Sequence, residues 1–577
     1  MAEIGIVGPG PVYVIGAEGT VSQLGQRPVL DWWVGAEDRW HTASTEAAVR
    51  QTLGDDGSTI ETRLKVPGGD VVQRVTVVPD GGRTVAVVEI ENTTPVPIAV
   101  ALVLDFEGSL SVFDDTLSVD GRAVVRASRS VARMFVATGD DALRVGVFDG
   151  AALPPSEAEQ PTVGTRTALI FPLPHTAILR CAVALEGADR LPSPNDLPPT
   201  DAVARGWGTH MNSGASASFP DDRLLAVVGA ARRHLLTGSA KAIGDPYWQH
   251  EVEPWVPALA ATALDVWGHH IEARELLLAA VGSDDLATHA RRGPDEAGAL
   301  LWAWAERLER QPEPDLEAAL TDWIQETAIG LMSHARGLFG RRRPASSEPW
   351  RAVGLASAGS VLSRNGNEAL GPDIIDALPE LAAENGSDPL ALPMVLGGNR
   401  LGGSGSRSIL AVLADLVGRD ELSLGDVGAL GASTGAVGLG GRDQHPLLSA
   451  LILMAVGRAM VDEPEGTGGV VAVLSSPDPA WLGAPLEGHG FPVTGGSISF
   501  GARWHGDRPA LLWDLERVGA GVGVSAPGLD PTWSRDEARG EDLLGVTKQL
   551  QSEAAPESPQ VRRGEALDTT DDPDSFS

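Results

Sequence analysis

Residues 245–278 read DPYWQHEVEPWVPALAATALDVWGHHIEARELLL, and this stretch decides the fold. Residues 255–267 form one helical run, Gly268 punctuates it, and residues 272–281 form a second. Two helices joined by so short a turn predict a helical hairpin. On the N-terminal side, Asp221 and Asp222 are placed to cap a helix over RLLAVVGAARRHLL, with Gly238 at its far end. On the C-terminal side, helical spacing recurs over 296–308, 316–334, 352–362, 374–383, 408–416 and 446–460. Short turns alternate with longer Gly- and Pro-rich connections, as stacked hairpins require.

Outside this block the pattern changes from helical spacing to short strands. Residues 84–90 (TVAVVEI) and 96–104 are rich in Val and Ile, and the turn clusters Pro79-Asp80-Gly81-Gly82 and Asn92-Thr93-Thr94-Pro95 bound them. Further strand-like runs cover 71–78, 131–137, 143–148, 167–171 and 177–185. Strands at this spacing predict a large antiparallel sandwich. The Pro-rich segment 191–200 reads as a linker. Beyond Ala480 strands return: SISFGARW (497–504), a turn at 506–509 and ALLWDL (510–515) predict a hairpin. Residues 551–577 hold seven acids and two arginines without apolar periodicity, which predicts a disordered tail.

The 577 residues carry 78 Asp and Glu against 44 Lys and Arg, a net charge of −34. A chain of this length organises more than one core. Its acidic surface repels phosphate backbones and anionic headgroups, which argues against nucleic-acid and membrane-surface partners. The single cysteine, Cys181, excludes an internal disulfide framework and a cysteine metal cluster. No run of about 18 apolar residues predicts membrane insertion. The N-terminus lacks the pattern of a secretory leader, so the cytoplasm is the expected location.

Two glycine-rich stretches fail as nucleotide motifs. Gly8-Pro9-Gly10 lacks the third glycine of a dinucleotide fingerprint, and residues 402–406 (GGSGS) lack the Gly-Lys-Ser/Thr ending of a phosphate loop. The adjacent His269 and His270 point to different faces of a helix, so no metal centre is expected there. No cofactor is implied.

The segment Trp248-Gln249-His250-Glu251, followed by an apolar helix, a glycine and an "EAR" helix, resembles the opening of the catalytic barrel in six-hairpin glycosidases of the glucoamylase type. In that family a Trp-x-Arg-Asp segment holds the terminal sugar. By this resemblance Trp248 would wall the pocket while His250 and Glu251, in place of Arg and Asp, would bind hydroxyls. The chemistry fits, since carboxylates accept from sugar hydroxyls and an indole covers the apolar face of a pyranose. A capping Glu and a core Trp at a helix start is the structural alternative.

Residues 293–303 (GPDEAGALLWA) resemble the family's second hairpin. That likeness places Asp295 and Glu296 at the pocket, although an N-cap explains them as well. Ser346-Ser347-Glu348-Pro349-Trp350-Arg351 occupies the place of the loop that supplies the general acid. Glu348 would then protonate the leaving oxygen, with Trp350 beside it. The general base is expected on a late loop before a Ser-Ala-led helix. Here Ser449-Ala450 open such a helix, but residues 433–442 contain no carboxylate, and Asp443 is the acid available.

The resemblance spans roughly residues 20–540 and implies a multidomain α and β protein. An N-terminal β-sandwich (1–205) would precede an (α/α)6 helical-hairpin barrel (206–475), a C-terminal β-rich cap (476–545) and a disordered acidic tail (546–577). The implied activity is acid/base hydrolysis of α-glucosidic or related oligosaccharides. Glu348 and Asp443 would be catalytic, and Trp248, His250, Glu251, Asp295, Glu296 and Trp350 would line the carbohydrate site. The missing base keeps a second reading open: an inactive relative that binds carbohydrate or serves as a scaffold. The sequence leaves the oligomeric state open.

Overall fold

The structure is a computed structural model. It describes residues 2–8, 10–23, 26–54, 57–155, 166–237, 253, 255–281, 293–334, 349–366, 370–374, 396, 409–416, 418–419, 421–428, 446–463, 469–517 and 523–545. The expected tail, and most of the predicted helix over 374–383, lie outside these residues.

Two eight-stranded sheets occupy the N-terminal part. The first contains Gln26–Gly35, Ile98–Asp105 and Arg166–Leu173 at its centre; the second contains Ile60–Val66, Gly69–Asp80, Arg83–Asn92 and Ile178–Ala188. All pairings within both are antiparallel. The Asp80–Arg83 hairpin closes through Gly81 and Gly82, both at positive φ (54° and 83°). Left-handed backbone at both central positions matches the twist of the strands, and glycine adopts it without a Cβ clash.

Alternation along Ile60–Val66 turns Ile60, Leu64 and Val66 inward. They join Trp32, Leu102, Val75 and Val88 in one core built from both sheets. The buried Tyr13 hydroxyl, with one proton to donate, reaches across this core to within hydrogen-bond distance of the carbonyls of Thr84 (3.2 Å) and Val183 (3.3 Å). The expected strands over 71–78, 84–90 and 167–171 fall within observed ones, and those over 96–104, 131–137 and 177–185 start one or two residues ahead of the observed Ile98–Asp105, Arg133–Ala137 and Ile178–Ala188.

Residues 143–148 do not form the expected strand; they belong to helix α1, Asp140–Phe148. Asp140 and Asp141 lie in its first turn, where carboxylates favour a helix, and Arg144 reaches back to Asp140 at 3.0 Å. Leu143 and Val147, four residues apart, land together on Trp33 and Ala101 at the outer face of the first sheet. The short Val-Gly-Val-Phe alternation misled the sequence reading because its true period is helical. The linker holds more structure than its prolines suggest: a 3-10 turn at Pro194–Asp196, then helix α2, Thr200–Asn212.

The helical region contains α3 (Asp222–Leu236), α4 (Val256–Val266), α5 (His270–Val281), α6 (Pro294–Arg310), α7 (Pro314–His334), α8 (Pro349–Arg364), α9 (Ile409–Leu416) and α10 (Pro446–Met460). The Asp221 side chain caps α3 by accepting from the Leu224 N–H at 2.9 Å, as its position predicts. Helices α4, α6, α8 and α10 are buried nearly all round. Helices α3, α5 and α7 expose one side. Buried helices therefore alternate with half-exposed ones along the chain, the pattern of hairpins with an inner and an outer arm.

Strands resume at Val461, ahead of the point where the sequence pattern first shows them. The 496–505 and 508–517 pair is the expected hairpin. It sits in a five-stranded sheet with Leu486–Val493, Arg539–Leu543 and Ser216–Ser218. A four-stranded sheet joins Val461–Asp462, Val470–Val473, Gly523–Ala526 and Asp530–Arg535. No helix among the described residues is long and apolar enough to cross a membrane.

Candidate active site

The starts of α4, α6 and α8 come together at one end of the helical region. Gly298, one turn into α6, and Gly354, one turn into α8, face each other so closely that a Cβ on Gly354 would lie 2.4 Å from the Gly298 carbonyl oxygen. A Cβ on Gly298 would lie 2.2 Å from the carbonyl oxygen of Trp350. Only glycine allows this approach, and it sets the two helix starts side by side. The start of α4 joins them through aromatic contact: the Trp350 ring lies 5.7 Å from that of Trp255 and 5.4 Å from that of Trp302.

Asp295 and Glu296 occupy the first turn of α6 and are half-buried there. Unbonded N–H groups and the positive end of the helix dipole favour negative charge at this position. Trp350, in the first turn of α8, is 2% exposed, so its ring belongs to the packed interior behind the helix starts. Arg351 beside it is buried as well. This end of the helices therefore holds two half-buried carboxylates at the start of α6 and a packed tryptophan group joining α4, α6 and α8; carboxylates accept from sugar hydroxyls. Trp248, His250, Glu251, Glu348 and Asp443 lie outside the described residues. In the chain, Glu348 directly precedes Pro349, the first residue of α8; Glu251 precedes α4 and Asp443 precedes α10.

Sequence reasoning missed Trp255 and Trp302 as members of this group. Their signal was limited to a position at a helix start and one inside an apolar run, and the contact itself depends on the Gly298–Gly354 approach.

The opposite ends of α4 and α6 are tied by buried charge. Asp265 accepts from Arg307 (2.7 Å) and pairs with His270 (2.8 Å), while Arg307 also reaches Glu313 at 2.5 Å. Asp265 and Arg307 are each 3% exposed. His270 thus serves this network and His269 a separate one, so the adjacent histidines face different partners as expected.

Buried His269 accepts through Nε2 from Arg232, whose Nη2 is 2.8 Å and Nε 3.3 Å away. Burial above all, then the neighbouring Arg232 charge, pushes the His269 pKa down to about 3, so the ring is neutral. With Nε2 accepting, the ring proton resides on Nδ1. His210 stacks on this ring at 5.5 Å and holds Nε2 3.2 Å from a Glu272 oxygen. Ligand atoms of His210, His269 and Glu272 lie within 4.8 Å of one another, the spacing of a cation site. The chemistry does not fit one: Nε2 of His269 faces a guanidinium and Nδ1 carries a proton, leaving no lone pair for a metal. The cluster instead fastens the end of α2 to the α4–α5 turn.

No family model matches the chain, and no curated protein matches it. Among solved structures, it resembles a bacterial glucoamylase complexed with acarbose at 10% identity and a TM-score of 0.45, covering 66% of this chain and 68% of that one. It resembles an α-L-rhamnosidase from Dictyoglumus thermophilum at 10% identity and a TM-score of 0.40, covering 74% and 56%. A GH78 family rhamnosidase from Bacillus sp. GL1 gives 10% identity and a TM-score of 0.37, covering 77% and 52%. The chain spans little more than half the length of these rhamnosidases. At such TM-scores the likenesses carry no functional argument.

Proposed function

We propose that this chain is a glycoside hydrolase-like protein that acts on α-glucosidic or related oligosaccharides in the cytoplasm, with its helices completing an (α/α)6 barrel. The observation that carries the reading is the meeting of α4, α6 and α8 at their starts, with Asp295 and Glu296 in the first turn of α6. Glu348 acts as general acid on the leaving oxygen, and Asp443 activates water. Trp248, His250 and Glu251 hold the terminal sugar, Asp295 and Glu296 bind hydroxyls, and Trp350 backs the site from within.

The test is product release from a panel of α-linked oligosaccharides. Glu348→Gln should lower turnover by roughly 10²–10⁴-fold, the usual contribution of a general acid. Unchanged turnover removes Glu348 from the mechanism. The absence of any carboxylate in residues 433–442 favours a second reading, a carbohydrate-binding relative without turnover. Under it the panel yields no product, while binding responds to Glu251→Gln.

A further inference from the structure

The five-stranded C-terminal sheet buries one face, including Phe491, Ile498, Phe500 and Leu511, in the same core as the helices. Its opposite face is open and carries a trough of about 620 Å³. That volume falls within the roughly 300–1,000 Å³ of small-ligand clefts. Register fixes the floor: Glu487, Gly501, Leu512 and Glu541 form one row across four strands.

Gly501 is the informative position. Its backbone is not in the left-handed region, and a Cβ there would meet one atom, Glu487 Cγ, at an ordinary 3.8 Å. Neither conformation nor packing requires glycine, although glycine weakens a strand interior. A strand glycine of this kind leaves the backbone open to close approach by a ligand. Beside it, Leu512 is 58% exposed.

The rim settles the class of ligand. Arg503 pairs with Glu487 at 3.2 Å, His489 lies 3.7 Å from the same carboxylate, and Arg539 pairs with Asp514 at 2.6 Å. Arg503 and Arg539 offset Glu487 and Asp514, and Glu541 leaves a slight acidic excess that disfavours a phosphate. What it offers is planar donors and carboxylate acceptors on either side of a bare backbone stretch and the exposed Leu512, which suits vicinal hydroxyls and the C–H face of a sugar.

We propose that this trough binds a neutral oligosaccharide, independently of the site at the helix starts. The experiment is calorimetric titration of maltoheptaose, cellohexaose and laminarihexaose into the full chain carrying Glu348→Gln, alone and combined with Gly501→Val, Arg503→Ala or Leu512→Glu. At least one sugar should bind, with affinity falling tenfold or more on Gly501→Val, which fills the trough, and on Leu512→Glu. Leu512 is exposed, so its variant keeps the test valid if Gly501→Val does not fold. Binding that is unchanged in both variants, or absent for every sugar, overturns the proposal. Hydrolysis persisting in the Glu348→Gln protein overturns the assigned acid and leaves the trough result standing.

Discussion

The sandwich and the helical region bury polar groups in opposite ways. In the sandwich, charged pairs stay near the surface: Arg74 bridges Glu61 at 2.8 Å and Glu91 at 2.7 Å while 26% exposed. In the helical region Asp265 and Arg307 are taken wholly out of water. The difference follows from how each architecture satisfies its backbone. Strands complete their hydrogen bonds laterally, so a sheet core needs no buried ion pair to satisfy its backbone. Helices leave four bare groups at each end, and where those ends are buried, polar side chains must follow them inside.

This contrast gives graded expectations. Asp265→Ala leaves Arg307 buried without its inner partner and should cost about 3–5 kcal/mol, measured by denaturant unfolding. Gly298→Ala drives a methyl against the Trp350 carbonyl and should cost roughly 1–3 kcal/mol by the same measurement, with disturbed tryptophan fluorescence. Arg74→Ala, at a partly hydrated pair, should cost about 1 kcal/mol or less. Equal losses for Asp265→Ala and Arg74→Ala would break the comparison.

A separate expectation concerns pH. Burial pushes the Glu3 carboxyl from 4.5 to about 7. Between those values the folded chain holds a proton that the unfolded chain has released, so this group's contribution to stability falls as pH rises through the window and is flat above it. Thermal melts of Glu3→Gln from pH 4 to 8 should lack that fall.

Much of the fold is legible in the sequence because local periods carry it. Residues 84–90 are a Val- and Ile-rich run between turn clusters and form a strand, and 255–267 repeat helically and contain a helix. The failures have local causes. Residues 143–148 are too short for alternation to outweigh the two aspartates ahead of them. Helix α2 hides behind the prolines of 194–199 and two glycines of its own, and buries chiefly Trp207. At the candidate site, Asp295 and Glu296 are legible as residues of a helix start. The Trp255–Trp350–Trp302 group is not, since it joins positions far apart in the chain through a close approach of two glycines.

Strand Ser216–Ser218 precedes the helical region, yet it pairs with Leu486–Val493, which follows it; Ser216 lies opposite His489. As the chain emerges during synthesis, this short strand must wait through every helix of the region before its partner exists. Assembly thus has an imposed order, with helices first and the clasp last. Contacts of such long range slow folding. A chain stopped short of residue 486 would present its unclosed helical core to protein quality control.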